Sequence, residues 1–154
     1  MEKMYLKPVE VVDEIIEMAV KKAKNKGINI FLLGALAGMF IGLAYIGYLT
    51  ATQVLSLHDK GIAKLVGACI FPVGIMLVLF VGGSLFTGNN LVSIAYLDKK
   101  IPVSKVLINW VIVWAGNFFG AVLTAFLLSK TEIFHSHELV AATVSLAEHK
   151  VELT

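Results

Sequence analysis

The run LVGACIFPVGIMLVLFVGGSLFTGNNLVSIAYL, residues 65–97, contains no Asp, Glu, Lys or Arg over 33 residues. As a single α-helix it would be roughly 50 Å long at about 1.5 Å per residue, against a hydrocarbon core of about 30 Å. It therefore has to break or turn. The place to do so is GGSLFTGNN, residues 82–90, where Gly82, Gly83 and Gly88 relax the backbone and Ser84, Thr87, Asn89 and Asn90 supply hydrogen-bonding groups. Non-helical backbone at membrane depth persists only where it is buried in protein or lines a water-filled cavity. Broken spans of this kind build substrate sites in many transport proteins. The alternative is a long tilted helix ending in an ordinary cytoplasmic turn.

Two further stretches lack Asp, Glu, Lys and Arg: residues 28–57 and 106–129, 30 and 24 residues long, so that the three runs cover 87 of the 154 residues. Each exceeds the roughly 18–20 apolar residues that cross a bilayer. Hydrophobic residues make up 58% of the chain and charged residues 16%, against about 45–50% and about 25% in ordinary globular proteins. The expected fold is an all-α membrane protein with three transmembrane helices, the second broken by a pore loop. The spans fall at about 28–57, 65–97 with the break at 82–90, and 106–129, and 130–154 is left as an exterior loop. Too few residues remain to build a soluble two-layer domain, a nucleic-acid-binding surface or a disulfide scaffold. The net charge of +2 comes entirely from Lys set against Asp and Glu, so Arg clamps on phosphate are excluded. Cys69 lies inside the second run and reads as a small packing residue. Three spans leave little surface to enclose an aqueous pathway, so function is expected to require other chains.

Residues 8–26, PVEVVDEIIEMAVKKAKNK, set Val9, Val12, Ile16, Ala19 and Ala23 on one helical stripe, with acidic residues early and Lys21, Lys22, Lys24 and Lys26 late. Pro8 suits a first turn and Gly27 a stop, and the charge order suits the helix dipole. Residues 1–27 are thus expected to form a cytoplasmic amphipathic N-terminal helix, against the alternative of a merely solvated leader, with 28–154 as the membrane domain. The first apolar run starts late and is too long for the apolar core of a cleavable signal. With the N-terminus inside, nine lysines lie on the cytoplasmic side, Lys3 among them, and four outside: Lys60, Lys64, Lys130 and Lys150. That bias sets the orientation. Gly34, Gly38 and Gly42, and again Gly116 and Gly120, recur at intervals of four and read as close-packing ridges. Asn109 and Asn117 fall near one face of the third run, where an interhelical hydrogen bond is favoured over substrate contact. Trp110 and Trp114 read as packing or lipid-facing residues.

The run AKLVGACIFPVGIMLVLFVGGSLFTGNNL, with NWVIVWAGNFFGA in the third span and AEHKVELT at the end, resembles the N-terminal half of the formate/nitrite transporter family. GGSLFTGN is the specific element. The resemblance implies an aquaporin-like half repeat, the first of two inverted three-span repeats, in a multi-pass protein of the inner or plasma membrane. Family members assemble as pentamers in which each protomer has its own pore for small monovalent anions such as formate, nitrite and hydrosulfide. By position, the family's loop falls on Ser84, Leu85, Phe86, Thr87, Gly88 and Asn89. Thr87 matches the pore threonine, Phe86 and Ile75 one constriction, and Phe71 the apolar ring on the other side. Lys150 matches a lysine that raises the local positive potential. Ser84 departs from the family, where that position is often acidic, and the role of that carboxylate does not carry over.

These roles fit elementary physics: a bare anion in a dry constriction needs donors or neutralisation, Thr87 offers a hydroxyl, Lys150 concentrates anions, and apolar rings exclude hydrated cations. The family's threonine faces a histidine from the second repeat, and none of His58, His135, His137 and His149 lies in an uncharged span. His135-Ser136-His137 is only a weak metal pattern, so no metal and no cofactor is expected, and no enzymatic constellation converges. The implied partners are membrane lipid, small anions and a second-half repeat within a homo-oligomer, with no nucleic acid. The resemblance leaves three readings: conduction with a second repeat, a self-pairing half-length channel for hydrosulfide or a related anion, and a non-conducting assembly or regulatory fragment.

Overall fold

A computed structural model describes residues 5, 7–53 and 55–152, apart from the side chains of residues 134 and 135. Lys3 and the His135 side chain therefore lie outside the described residues. In chain order the helices are α1 (Pro8–Lys24), α2 (Gly27–Thr52), α3 (Leu55–His58), α4 (Lys60–Ile70), α5 (Pro72–Val81), α6 (Phe86–Asn89), α7 (Val92–Leu97), α8 (Val103–Ser129) and α9 (His137–Glu152), with a 3-10 turn at Glu132–His135. Among the described residues, three stretches are long and apolar enough to cross a membrane: Gly27–Thr52, Lys60–Val81 and Val103–Ser129. The second joins α4 to α5 across Pro72, whose missing N–H removes one ladder bond. Asp59 starts it as an N-cap, its Oδ1 accepting from the N–H groups of Gly61 at 2.7 Å and Ile62 at 3.0 Å.

The glycine ridges decide how the spans pack. Gly34 lies against Val113 and Gly116, Gly38 against Asn117, Gly42 against Thr124, and Gly120 against Ala35. Residue numbers rise together on the two helices, so α2 and α8 run parallel. A Cβ on Gly38 or Gly120 would meet the backbone of the opposite helix, which is the close approach that small residues permit. On another side of α2 the order reverses. Gly67 meets Tyr48 and Thr52, Gly74 meets Phe40 and Ala44, and Gly83 meets Ala37, so α4 and α5 run antiparallel to α2. Alternation of direction makes the three spans consecutive crossings.

α5 stops inside the bundle. Gly82 takes φ +74°, a left-handed conformation that favours glycine, and the Gly83 N–H donates to Val78 O at 2.8 Å. The next N–H, of Ser84, donates to Leu33 O of α2 at 3.1 Å. Leu33 is six residues into α2, about 9 Å from its start at the helical rise. The break therefore lies within the span. It is narrower than the expected 82–90, because FTGN closes a helical turn as α6 and only residues 82–85 separate it from α5.

From there α6 and α7 lead back to the side where α2 and α8 begin. Ala19 and Ala23 of α1 pack there with Val92 and Ala95 of α7, with Ile101, and with Val106 of α8. Ile16 is buried as the stripe on α1 implied, whereas Val9 and Val12 are exposed; only the C-terminal half of α1 overlaps the membrane helices. The C-terminal segment also differs from expectation. Residues 137–152 form a helix rather than a loop, anchored by the fully buried Leu139.

Candidate pore wall at the broken span

Irregular backbone inside a membrane leaves N–H and C=O groups that must find partners. Here Asn117 of α8 supplies them. Its Nδ2 donates to Gly34 O and to Ser84 O, both at 2.8 Å, and its Oδ1 accepts from the Phe86 N–H at 2.8 Å. One amide thus ties α2, the break and the first turn of α6 to α8. The small residues around it make this possible, since Gly34, Gly38 and Gly116 bring the two backbones close enough for a short side chain to bridge them.

A second polar knot holds the other end of α6. Asn89, 1% exposed, donates from Nδ2 to Asn109 Oδ1 at 2.8 Å and accepts on Oδ1 from Lys22 Nζ at 2.9 Å. Its backbone carbonyl accepts from Trp110 Nε1 at 3.0 Å. Burial holds the Lys22 ammonium below the usual lysine range, because desolvation disfavours the charged form. Among the described residues its charge faces an amide oxygen rather than a carboxylate.

These contacts sort the candidate residues. Leu85 and Phe86 are half-buried, and the Phe86 ring meets Trp110 edge-on with centroids 6.2 Å apart. Thr87 is exposed and carries its hydroxyl on the first turn of α6, without a hydrogen bond to any described residue. Asn89, which the loop match counts among the pore-lining candidates, has both ends of its amide engaged by Lys22 and Asn109. Ser84 is buried, and its backbone makes both links of the break to the neighbouring helices.

The remaining candidates gather elsewhere. Phe71 meets Tyr45 edge-on at 6.3 Å, and Lys150 Nζ of α9 stands 5.0 Å from the centre of the Tyr45 ring, a cation–π distance. Together with Tyr48, Gly67, Ala68 and Leu146 they line a cavity of about 390 Å³. Ile75 is one turn from Phe71, on the way to the break, and is 44% exposed. Tyr45 and Leu33 are twelve residues apart on α2, which places the two groups about 18 Å apart along the α2 axis at the helical rise. Lys22 and Tyr45 were not singled out from the sequence. Lys22 looked like one more surface charge, and nothing local links Tyr45 to a lysine 105 positions later.

The fold and this clamped break define a helical membrane protein whose second crossing is interrupted within the span. The chain belongs to the formate/nitrite transporter family: the family model described as "Formate/nitrite transporter" matches residues 9–154. It is 32% identical over 152 residues to the uncharacterized transporter YrhG of Bacillus subtilis, a match covering 97% of this chain and 57% of that protein. It is 31% identical over 156 residues to the formate channel FocA of Haemophilus influenzae, covering 97% of this chain and 53% of the channel. The formate channel BtFdhC of Bacillus thuringiensis is 33% identical over 146 residues, covering 94% and 56% respectively. The chain spans about half the length of the curated relatives it matches.

Proposed function

We propose that this chain forms one three-span repeat of a channel for small monovalent anions of the formate and nitrite class, with a second three-span repeat completing the pore wall. The observation that carries the reading is the break at residues 82–85, held at membrane depth by Asn117 while the neighbouring Thr87 hydroxyl stays exposed. Within this reading Thr87 donates to the passing anion beside Leu85, and Phe86 with Ile75 makes one dry constriction. Phe71 makes the apolar ring on the other side. Lys150 at the Phe71 end offsets the cost of moving an anion out of bulk water. The two rings, about 18 Å apart along α2, bracket a pathway of membrane dimensions.

Asn89, Asn109 and Lys22 position the α6 turn and do not touch the anion. The assembly is a membrane-embedded homo-oligomer, a pentamer by resemblance, in a plasma or inner membrane with the N-terminus cytoplasmic. The family relation favours transport over catalysis.

Uptake of formate and of nitrite by vesicles tests this. The chain is reconstituted alone and together with a second repeat taken from a formate channel relative. Flux is expected only with both repeats. Flux through the chain alone would favour self-pairing, and silence after verified co-assembly would favour a non-conducting role.

A further inference from the structure

α9 turns a lysine toward the membrane helices. Leu139, Thr143, Leu146 and Lys150 recur at intervals of four, three and four residues, which is one face of a helix. Leu139 is buried, and Thr143 and Leu146 are half-buried, so the face that anchors α9 ends on an ammonium. Among the described residues that ammonium has no carboxylate partner. Its acidic neighbours on α9, Glu148 and Glu152, are each two positions away, which sets them on the other side of the helix. What Lys150 Nζ meets is the ring of Tyr45 on α2, 5.0 Å from its centre.

The ring is itself held. Tyr48 stacks on it with centroids 5.9 Å apart and planes 17° apart, and Phe71 meets it edge-on at 81°. A Cβ on Gly67 would meet the Tyr48 ring, so the close approach of α4 to α2 keeps the pair in place. The choice of partner matters on an anion pathway. A carboxylate here would hold the ammonium but cancel its positive potential, whereas an aromatic face holds it through the ring quadrupole and carries no net charge. The charge stays available to an anion in the cavity of about 390 Å³ that Tyr45, Phe71 and Lys150 help to line.

We propose that Tyr45 is a positioning residue for conduction: its ring docks the Lys150 ammonium beside the Phe71 ring without neutralising it. The proposal rests on the role of Lys150 as an anion attractor. An undocked lysine spreads over several rotamers, and a cation–π contact at a partly exposed site raises the docked population about two- to fivefold. Flux limited by anion entry scales with that population.

Two measurements test it. By NMR of the full chain, with isotope-labelled lysine and in lipid nanodiscs, the ring current should move the Lys150 ε-CH2 protons upfield of their position in Tyr45→Leu, and Tyr45→Phe should keep the shift. In the assembly with a second repeat, Tyr45→Leu should lower formate flux about two- to fivefold at low ionic strength and little at high. Tyr45→Phe should keep the flux, and Tyr45→Leu should cost nothing further in a Lys150→Gln background. Lys150 protons at the same position with and without the ring would overturn the proposal and leave anion attraction by Lys150 intact. A ring-current shift together with flux indifferent to Lys150→Gln would overturn it through the anion-attraction role instead. Loss of flux in Tyr45→Phe would assign the effect to the hydroxyl, and further loss from Tyr45→Leu in the Lys150→Gln background would assign it to packing; either overturns the proposal.

Discussion

Replacing Asn117 by alanine removes the amide that holds the break, and the structure sets the size of the effect. Three hydrogen bonds of 2.8 Å disappear. At about 0.6 kcal/mol for an average interhelical bond in a membrane, the loss has a floor near 2 kcal/mol. The Gly34 carbonyl lies inside α2 and keeps its helical partner, but the Ser84 carbonyl and the Phe86 N–H lose the only partners they have among the described residues. Each orphan adds up to about 1–3 kcal/mol if water cannot reach it. Because the bonds tie down one loop, the cost appears first as local opening at residues 82–89. Amide hydrogen exchange of the chain in lipid nanodiscs reads this directly. A floor of about 2 kcal/mol corresponds to roughly thirtyfold faster exchange at Phe86, with α1 amides unchanged. Exchange at Phe86 within about threefold of the unmodified chain would refute the assignment of Asn117 as the clamp.

A Cβ on Gly120 would meet the backbone of Ala35, so Gly120→Val should force α2 from α8 and cost about 1–3 kcal/mol or more, seen as a lower melting temperature in detergent. Lys22 has its pKa lowered by burial. In the interval between its folded value and the ordinary lysine value, the unfolded chain binds more protons, so stability contributed by this group rises with pH. The melting temperature of the unmodified chain should therefore gain on that of Lys22→Met as pH rises toward the ordinary lysine value; a flat or falling difference would contradict this. Lys150→Gln should reduce anion flux more at low ionic strength than at high, since exposed charges are screened over about 8–10 Å in physiological salt; an equal loss at both would separate Lys150 from anion attraction.

Much of the architecture can be read from charge spacing alone. The three uncharged runs locate the crossings because a lysine or aspartate inside a span is costly, and the overlong second run demands a break. The glycine ridges likewise foretell which helices touch, and Asn109 and Asn117 both make the interhelical bonds their spacing suggested. The limits of the break were harder to read. Phe86, Thr87, Gly88 and Asn89 form a helical turn because Asn117 takes the Phe86 N–H and Asn109 with Lys22 grips Asn89, partners 20 to 67 positions away. α9 was missed because Leu139 is its one fully buried side chain, so its apolar pattern is weak despite helix-favouring Ala, Leu and Glu. Lys22 illustrates the converse. A lysine at a helix end resembles its solvated neighbours until the fold places an amide oxygen against it.

The central claim is that the exposed Thr87 hydroxyl beside the clamped break meets the conducted anion. Formate flux into vesicles, measured for an assembly containing this chain and a complementary second repeat, tests it most directly when Thr87 is replaced by valine, which keeps the shape and deletes the donor. A neutral hydrogen bond contributes about 0.5–1.5 kcal/mol, so flux should fall by roughly three- to tenfold, with Thr87→Ser restoring most of it. Unchanged flux and selectivity in Thr87→Val, with both repeats verified in the membrane, would contradict the account.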